Sequence, residues 1–406
     1  MKVIAALFLG LSVAAAAWVS VGPDGGYVQA LAIDPARAQT LFAAIYDSPE
    51  NARLFRSNDA GASWSLVSRI PYPSITMLSV DPHDSMYLYA GARSNIIYRS
   101  SDRGRDWTTL NMPGYASAFD PDPLVPGRLF AGGYYYYNSA YRSALYVSTN
   151  RGTSWTISMP RPDTVLYSYA CAADPTATGH VYLASTYGYV HLTTDAGATW
   201  TLANSGLPST GYAQSLTVSS AGVALAATGT GIYRTTNSGA NWTLTTNSPG
   251  SASFVQYCRS DAGRAWSLGR SDSIRVFVST DAGSSWRQPI PGYSTGKAAT
   301  LVPDPGTGTV AYVSGPMGIV RSTDMGANWQ TAHTGLRIAK ISTIAAGPWN
   351  SERVYLEVAE NGVYKSANRG LDWTRCNDFL SCGNICGIGV QPGTDGDVLY
   401  ALEGSG

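Results

Sequence analysis

The sequence predicts an all-β chain built from one repeated unit of four short strands, and three observations support this prediction. An eight-residue pattern recurs eight times: Ser or Thr, any residue, Asp or Asn, any residue, Gly, two further residues, and Trp. Successive copies begin 42 to 48 residues apart, and a fixed period of this size is typical of stacked or radially arranged supersecondary units. Each period also carries the same four strand signals, without a long stretch of helical periodicity.

The eight copies, called boxes below, have the composition of a tight turn. They occupy residues 57–64, 100–107, 148–155, 193–200, 235–242, 279–286, 322–329 and 366–373. In the first box, the Ser57 hydroxyl and the Asp59 carboxylate can accept backbone N–H groups inside the turn. Gly61 permits the positive φ that a tight hairpin needs. Trp64 then leaves the turn as a large apolar plug between neighbouring sheets.

A cation site is the rival interpretation of the boxes, and the chain contains an internal comparison against it. The third box position is a neutral amide in Asn150, Asn237 and Asn368. An amide can stabilise the turn, but it weakens a site that depends on carboxylate charge. The sequence therefore predicts structural turns, with no metal and no cofactor.

The four strand signals are clearest in the second unit. Apolar runs at residues 75–80, 87–90 and 96–99 are separated by Asp-Pro and Gly, and a fourth strand starts at Trp107. Four strands in about 45 residues make one blade of a β-propeller. The chain is thus predicted to be a β-propeller of four-stranded blades over residues 18–406, with eight complete box units and a partial ninth.

The sequence does not decide how the two ends of the chain contribute to closing the ring. After the eighth box, strand signals occur at residues 388–390 and 398–402, whereas residues 18–21 resemble a fourth strand with nothing before it. Pairing these segments would close the ring and hide both sheet edges. Alternatively, the chain is one part of a longer protein and ends within a blade.

Residues 1–17 are typical of a secretion signal. Lys2 supplies the positive end, residues 3–16 the apolar stretch, and Ala15 to Ala17 a small-residue cleavage site. This stretch is short for a membrane-spanning helix, and no later segment reaches the ~20 apolar residues that one needs. We expect a secreted or periplasmic protein without a membrane span.

The charge balance narrows the class of partner. Charged residues make up 13% of the chain, with 27 basic and 27 acidic residues. Nucleic-acid binding requires a concentrated basic surface, so this class is not expected. A neutral surface rich in Ser, Thr, Gly and Tyr suits a neutral partner such as a polysaccharide, and equally an inert scaffold.

The five cysteines predict at most one local disulfide. Cys376, Cys382 and Cys386 lie within eleven residues, and any two of them could pair in an oxidising compartment. Cys171 and Cys258 lie in apolar runs and are expected to be small buried side chains. The spacing fits no zinc site.

The boxes resemble Asp-box (BNR) repeats, and the sequence is similar to the Asp-box propeller superfamily over essentially its whole mature length. That superfamily includes sialidases, the family 74 xyloglucanases, sortilin-type receptors and the photosystem II assembly factor group. The resemblance implies the propeller fold but leaves the function open, because one fold hosts many activities.

Propeller topology places the boxes on one face. The connections between units and the loops after each second strand share the other, called the loop face. Loops between units are expected at residues 71–73, 113–115, 167–169, 210–212 and 291–293, and each places a Tyr just before the next first strand. A longer loop is expected at residues 133–138, after the second strand of unit three. Exposed Tyr side chains suit sugar rings and protein surfaces alike; packing against the neighbouring unit is the alternative. The predicted ligand-binding residues are Tyr72, Tyr115, Tyr134, Tyr135, Tyr136, Tyr137, Tyr212 and Tyr293. Tyr141, Tyr167 and Tyr169 lie nearby in sequence.

Glycoside hydrolysis usually needs two carboxyl groups. The candidates expected on the loop face are Asp47, Glu50, Asp163, Glu360 and Asp378. Asp47 lies near the position where the resemblance implies the first catalytic Asp of a family 74 enzyme. However, residues 45–49 depart from that family's Asp-Val-Gly-Gly-type stretch, and the family's partner residue belongs to a second propeller that is not expected here.

A sialidase is not expected either. Arg69, Ile70 and Pro71 are similar to that family's Arg-Ile-Pro signature, but they follow the first box instead of preceding it. The sequence therefore favours an exported, non-catalytic propeller that binds a polysaccharide or a protein on its loop face. A xyloglucanase-like hydrolase based on Asp47 is the alternative, and a chaperone for protein partners is a third class.

Overall fold

The structure is a computed structural model that describes residues 28–47, 50–92, 94–209, 212–270, 275–289, 300–315, 318–332, 341–346, 353–358, 362–367, 373–375, 385–393 and 396–403. Within these ranges the chain is all β apart from one 3-10 turn at Thr186–Gly188, so the predicted all-β class is confirmed. No helix in the described ranges is long and apolar enough to cross a bilayer. The expected signal at residues 1–17 and residues 18–21 lie outside the described residues.

Within each sheet, strands that follow one another in the chain are neighbours and pair antiparallel. Units one and two contain β1 (Val28–Asp34), β2 (Arg37–Tyr46), β3 (Ala52–Ser57), β4 (Ser65–Ile70), β5 (Met77–Val80), β6 (Leu88–Gly91), β7 (Ser94–Ser100) and β8 (Thr108–Pro121). Units three and four add β9 (Leu129–Tyr137), β10 (Ala140–Ser148), β11 (Thr156–Ser158), β12 (Ser168–Ala173), β13 (Val181–Ser185), β14 (Val190–Thr193) and β15 (Thr201–Leu202).

The later units repeat this order. Units five to seven contain β16 (Ala213–Val218), β17 (Ala224–Thr228), β18 (Gly231–Thr235), β19 (Thr243–Leu244), β20 (Ala252–Cys258), β21 (Asp261–Gly269), β22 (Arg275–Ser279), β23 (Thr300–Pro303), β24 (Ala311–Gly315), β25 (Gly318–Ser322) and β26 (Gln330–Thr331). The remaining strands are β27 (Ile341–Ala346), β28 (Val354–Val358), β29 (Gly362–Ser366), β30 (Thr374–Arg375), β31 (Ile385–Gly393) and β32 (Gly396–Glu403).

Burial differs between the strands of one unit. Every residue of the second strands β13 and β17 is buried, because neighbouring sheets cover both faces, and such strands are continuously apolar instead of alternating. The outermost strands β15, β19, β26 and β30 have only two residues each. The core therefore lies between sheets.

The box turn forms as predicted from its residue types. Ser57 Oγ accepts the Gly61 N–H at 2.9 Å and donates to Asp59 Oδ1 at 2.7 Å. Asp59 Oδ1 also accepts the Ser63 N–H at 2.8 Å, and Gly61 has a φ of +87°. The hydroxyl and the carboxylate thus satisfy backbone donors that the turn would otherwise leave unpaired.

The third box forms the same turn with an amide. Asn150 Oδ1 accepts the Ser154 N–H at 2.9 Å, and Asn150 Nδ2 donates to the Ser154 hydroxyl at 2.8 Å. In the first box, by contrast, Asp59 Oδ2 accepts the hydroxyl of Ser63. A rotatable hydroxyl can thus pair with either side chain, which supports the structural interpretation of the boxes.

The box Trp side chains are less uniformly buried than the sequence predicts. Trp64, Trp242 and Trp286 are buried, and Trp242 Nε1 donates to the carbonyl oxygen of Ala203 in the preceding unit at 2.7 Å. The prediction of a buried plug is wrong for five others, which are half-buried: Trp107, Trp155, Trp200, Trp329 and Trp373.

Seven consecutive units surround one central cavity of about 770 Å³, which their first strands line. β1 packs against β23 and β24 of unit seven. One core cluster accordingly combines Val28 and Leu41 of unit one with Tyr312 and Ile319 of unit seven. The closing contact therefore joins units one and seven, and differs from closure by the two ends of the chain. Outside this ring of seven units, β31 packs against β27.

One inter-unit connection differs from the sequence prediction. A loop is expected at residues 113–115, but β8 runs unbroken through them, so this expectation is wrong. The first half of β8 pairs with β7 and the second half pairs with β9. The length of β9 explains the difference, because its end supplies Tyr134 as a ladder partner for Tyr115.

Candidate ligand-binding site

Hydrogen bonds identify the face that carries the boxes. The Ala60 N–H in the first box donates to Gln39 O in β2, beside the β1–β2 turn, at 2.9 Å, and the Ala196 N–H in the fourth box donates to Gly179 O at 2.9 Å. Boxes and first hairpins thus share one face. The hairpins between second and third strands, and the connections between units, lie on the opposite loop face.

Unit three carries the longest loop-face hairpin. The sequence predicts a loop over Tyr134 to Tyr137, but these residues belong to β9, so this expectation is wrong. A two-residue turn at Asn138 and Ser139 joins β9 to β10, with φ of 47° and 61°. Positive φ at both positions matches the right-handed twist of hairpin strands. The Tyr run therefore stands on a paired ribbon.

Strand alternation sorts these Tyr onto two sides of the ribbon. Tyr135 packs against the core between units two and three. Tyr134 and Tyr136 lie on the other side, where they meet Tyr141 of β10. Tyr137 alternates back to the side of Tyr135 and is 40% exposed.

Five tyrosines form one continuous set of ring contacts, named here the tyrosine cluster: Tyr115, Tyr134, Tyr136, Tyr141 and Tyr167. Tyr115 and Tyr134 stack with centroids 5.1 Å apart. The Tyr134 ring is 5.2 Å from that of Tyr167, edge to face. The cluster therefore links β8, the β9–β10 hairpin and the connection before β12.

Hydrogen bonds to backbone carbonyl groups and one close backbone approach fix the position of the cluster. Tyr146 OH donates to Tyr134 O at 2.7 Å, and Arg142 Nε donates to Pro162 O at 2.7 Å. A Cβ at Gly133 would lie 1.8 Å from Tyr115 O, so only glycine allows this close approach. Burial, followed by the neighbouring Tyr115, raises the pKa of Tyr134. The cluster is therefore pre-arranged, and the central Tyr134 hydroxyl is held in its neutral form.

The outer rings of the cluster are open to solvent. Tyr136 is 59% exposed and Tyr115 is 41% exposed. Exposed aromatic side chains of this kind present a flat apolar face with a polar hydroxyl. The cluster can therefore stack against sugar rings or apolar side chains.

The sequence analysis missed Tyr187, which is 69% exposed. It lies in the turn between β13 and β14 with a φ of 60°, a conformation that costs energy for a residue with a side chain. The N–H of neighbouring Thr186 donates to Tyr167 O at 2.9 Å, which ties this turn to the tyrosine cluster. Its place after a second strand is the signal that could have identified it.

The other predicted tyrosines have different surroundings. Tyr72 is half-buried, packs against a core cluster and lies 6.4 Å from the Tyr98 ring, which matches the packing alternative. Tyr212 stacks on Tyr169 with centroids 4.3 Å apart. Tyr293 lies outside the described residues.

Asp47 is held by two arginines. Arg53 Nη2 lies 2.7 Å from Asp47 Oδ1, and Arg69 Nε lies 2.7 Å from Asp47 Oδ2. Burial acts to raise the pKa of Asp47, but the hydrogen bonds and charges of Arg69 and Arg53 outweigh it and lower the pKa overall. Asp47 therefore stays in its carboxylate form and is a poor proton donor. The Arg69 side chain is engaged in this ion pair.

The remaining carboxyl candidates have different surroundings. Asp163 is exposed and accepts a long hydrogen bond of 3.4 Å from Thr164 Oγ1. Glu50 is exposed as well. Glu360 and Asp378 lie outside the described residues. Within the described ranges, no group of three His, Cys, Asp or Glu side chains is placed to hold a metal.

Of the cysteines, Cys258 is buried and its Sγ lies 3.2 Å from Asp304 O, as expected for a small buried side chain. Cys171 is half-buried on the wall of the central cavity. Burial raises its pKa, so it stays a neutral thiol. Cys376 and Cys382 lie outside the described residues, and the predicted disulfide stays a prediction.

Sequence comparisons match parts of the chain. The Sortilin-Vps10 family, described as sortilin, neurotensin receptor 3, matches residues 52–172. A vacuolar protein sorting/targeting protein 10 of Laccaria bicolor is 37% identical over 71 residues, which is 18% of this chain and 5% of that protein. A xyloglucanase of a Paenibacillus species is 29% identical over 190 residues, covering 43% of this chain and 16% of that enzyme. The chain thus spans a small part of the relatives it matches.

Solved structures resemble nearly the whole chain. An ancestral GH74 enzyme superposes with a TM-score of 0.74 and 17% identity, covering 97% of this chain and 60% of that one. YCF48 bound to D1 peptide gives a TM-score of 0.54 and 14% identity, covering 74% and 94% of the two chains. At these identities the likeness concerns the fold. Together with the eight boxes and the sheet order, the family match, the sequence relatives and the fold all fit the Asp-box (BNR) repeat β-propeller superfamily.

Proposed function

We propose that the chain is an exported β-propeller that binds a neutral polysaccharide on its loop face without cleaving it. Within residues 18–406 we assign eight complete box units and a partial ninth, of which the first seven serve as blades around the central cavity, and residues 1–17 direct export. The observation that carries the proposal is the tyrosine cluster, whose exposed rings Tyr115 and Tyr136 stand on a pre-arranged hairpin.

The chemistry of the cluster favours a neutral partner. Its five members are phenols, and the nearby guanidinium of Arg142 is buried and bonded to backbone carbonyls. Stacking on rings with hydroxyl edges is the usual way for a protein to hold uncharged sugars. Tyr187 and Tyr212 extend the proposed surface, whereas Tyr72 and Tyr135 act in packing.

The hairpin offers a matched pair of variants. Tyr136 and Tyr137 are adjacent and exposed, but only Tyr136 belongs to the cluster. On xyloglucan and mixed-linkage β-glucan in affinity electrophoresis, we expect Tyr136→Ala to weaken retention about tenfold, equivalent to about 1.4 kcal/mol. Tyr137→Ala should bind like the parent chain.

Two outcomes would contradict the proposal. Equal effects of the two substitutions would remove the cluster from the site. Failure to bind any neutral polysaccharide, together with capture of peptides on an array, would assign the face to a protein partner, the class of ligand named for YCF48 with its D1 peptide.

A xyloglucanase-type hydrolase is the second candidate, favoured by the similarity to the Paenibacillus enzyme. In this alternative, Asp47 would act as a base after release from Arg53 and Arg69. Reducing-end release from xyloglucan that disappears in Asp47→Asn and persists in Asp163→Asn would support it. Inactivity of the parent chain on xyloglucan would reject it.

A further inference from the structure

The central cavity extends between the loop face and the box face. Each first strand starts at the loop face and ends at the box face, so the start of every strand marks the loop-face mouth. This mouth is lined by Thr76, Ser117, Tyr169, Gln214 and Thr300. The opposite mouth is lined by the turn residues Pro35, Pro82, Pro123, Pro175, Arg259 and Pro305.

The tyrosine cluster leads directly to the loop-face mouth. Tyr167 belongs to the cluster, and Tyr169, two residues later, lines the cavity. Tyr169 stacks on Tyr212 at 4.3 Å, and Gln214, two residues after Tyr212, lines the cavity as well. Aromatic faces therefore continue from the exposed hairpin to the cavity.

The cavity wall mixes polar and apolar groups and is nearly uncharged. Among the described lining residues, Asp120 is the one acidic side chain and Arg259, at the far mouth, is the one basic side chain. Asp120 Oδ2 accepts the Ala173 N–H at 2.9 Å, and a carboxylate can accept further hydrogen bonds from hydroxyl groups. Sugar hydroxyls fit this wall, whereas an acidic chain end would be repelled by Asp120.

The width of the cavity limits how a polymer can enter. A first strand of six residues spans roughly 20 Å, so a volume of about 770 Å³ corresponds to a mean cross-section of roughly 40 Å². Two extended strands side by side in stacked sheets occupy about 100 Å². A doubled-back chain therefore cannot enter, and the cavity admits at most one unbranched chain.

We propose that a linear neutral polysaccharide bound by the tyrosine cluster inserts one chain end into the central cavity. There Gln214 and Asp120 bind its hydroxyl groups. This inference rests on the proposed function and adds that the protein recognises chain ends instead of internal segments.

Two tryptophan substitutions test the insertion. Gln214→Trp narrows the loop-face mouth, whereas Ser220→Trp places the same bulk at the box-face mouth. In affinity electrophoresis on mixed-linkage β-glucan, which is unbranched, Gln214→Trp should lose retention as fully as Tyr136→Ala does. Ser220→Trp should retain it. Unchanged retention in Gln214→Trp, with loss in Tyr136→Ala, would overturn end insertion and leave surface binding in place.

A second measurement needs no variant. Partial hydrolysis of mixed-linkage β-glucan that halves the mean chain length doubles the number of chain ends per gram. The parent protein should then saturate at twice the amount of protein per gram of polymer. An unchanged capacity per gram would contradict end recognition, while absence of binding to every neutral polymer tested would contradict the proposed function itself.

Discussion

Trp64 Nε1 donates to the carbonyl oxygen of Ala332 at 2.8 Å, a bond between residues 268 positions apart. It repeats, between units one and seven, the bond that Trp242 makes to Ala203 between neighbouring units. The closing contact of the ring is therefore built like an internal one.

This equivalence predicts equal costs for two substitutions. Trp64→Phe and Trp242→Phe each remove a buried donor and leave a carbonyl unpaired, so each should lower the free energy of unfolding by about 1–3 kcal/mol. Urea denaturation measures both. A negligible effect of Trp64→Phe beside a normal effect of Trp242→Phe would mean that units one and seven do not close in solution.

The box hydroxyl is predicted to be a stabilising group. Ser57→Ala removes the acceptor of the buried Gly61 N–H, which should destabilise the protein by about 1–3 kcal/mol. Ser57→Thr is the matched control, because Thr193 accepts the Gly197 N–H at 2.8 Å in the fourth box. Thermal unfolding of both variants checks this. Equal melting temperatures for Ser57→Ala and the parent would refute it.

Because His191 is buried, we expect the free energy of unfolding to decrease at acidic pH. His191 is buried between Tyr189 and Trp200; burial, with the charge of Arg161, lowers its pKa to about 4. The unfolded chain takes up this proton near pH 6.5, so stability falls as the pH drops from about 6.5 to about 4. His191→Phe keeps an aromatic ring and should reduce that loss. Urea midpoints at pH 7 and pH 5 that shift equally in both proteins would contradict it.

For Asp120 we expect the opposite dependence of stability on pH. Burial raises its pKa to about 6, above the value near 4 of the unfolded chain, so its contribution to stability falls as the pH rises through that window. Asp120→Asn keeps an oxygen for the Ala173 N–H. The variant should be more stable than the parent at pH 7 by on the order of 1–3 kcal/mol, with the difference shrinking toward pH 4. A less stable variant at pH 7 would show that the charged form is required.

The repeated features were predictable because they are local. The Ser57, Asp59 and Gly61 turn follows from residue types within eight positions, and the strand runs follow from apolar patterning. The closing of the ring between units one and seven was not predictable. The number of sheets in a ring depends on the packing angle between them, which many inter-sheet contacts set together.

The site was predictable in composition but not in arrangement. The loop-face rule found Tyr115 and Tyr136, but it could not show that β8 and β9 pair Tyr115 with Tyr134. The loop-face rule also missed Tyr187. The ion pairs of Asp47 could not be predicted for a similar reason, because Arg69 lies 22 positions away in the sequence, in β4.

The two-residue outer strands have a consequence for behaviour in concentrated solution. A sheet edge that offers more backbone donors and acceptors recruits another chain more readily, and short edges are one way in which proteins avoid fibril formation. At β15, β19 and β26 the rim offers too few of them to template an incoming strand. The molecule can thus expose many sheets around its circumference and stay dispersed.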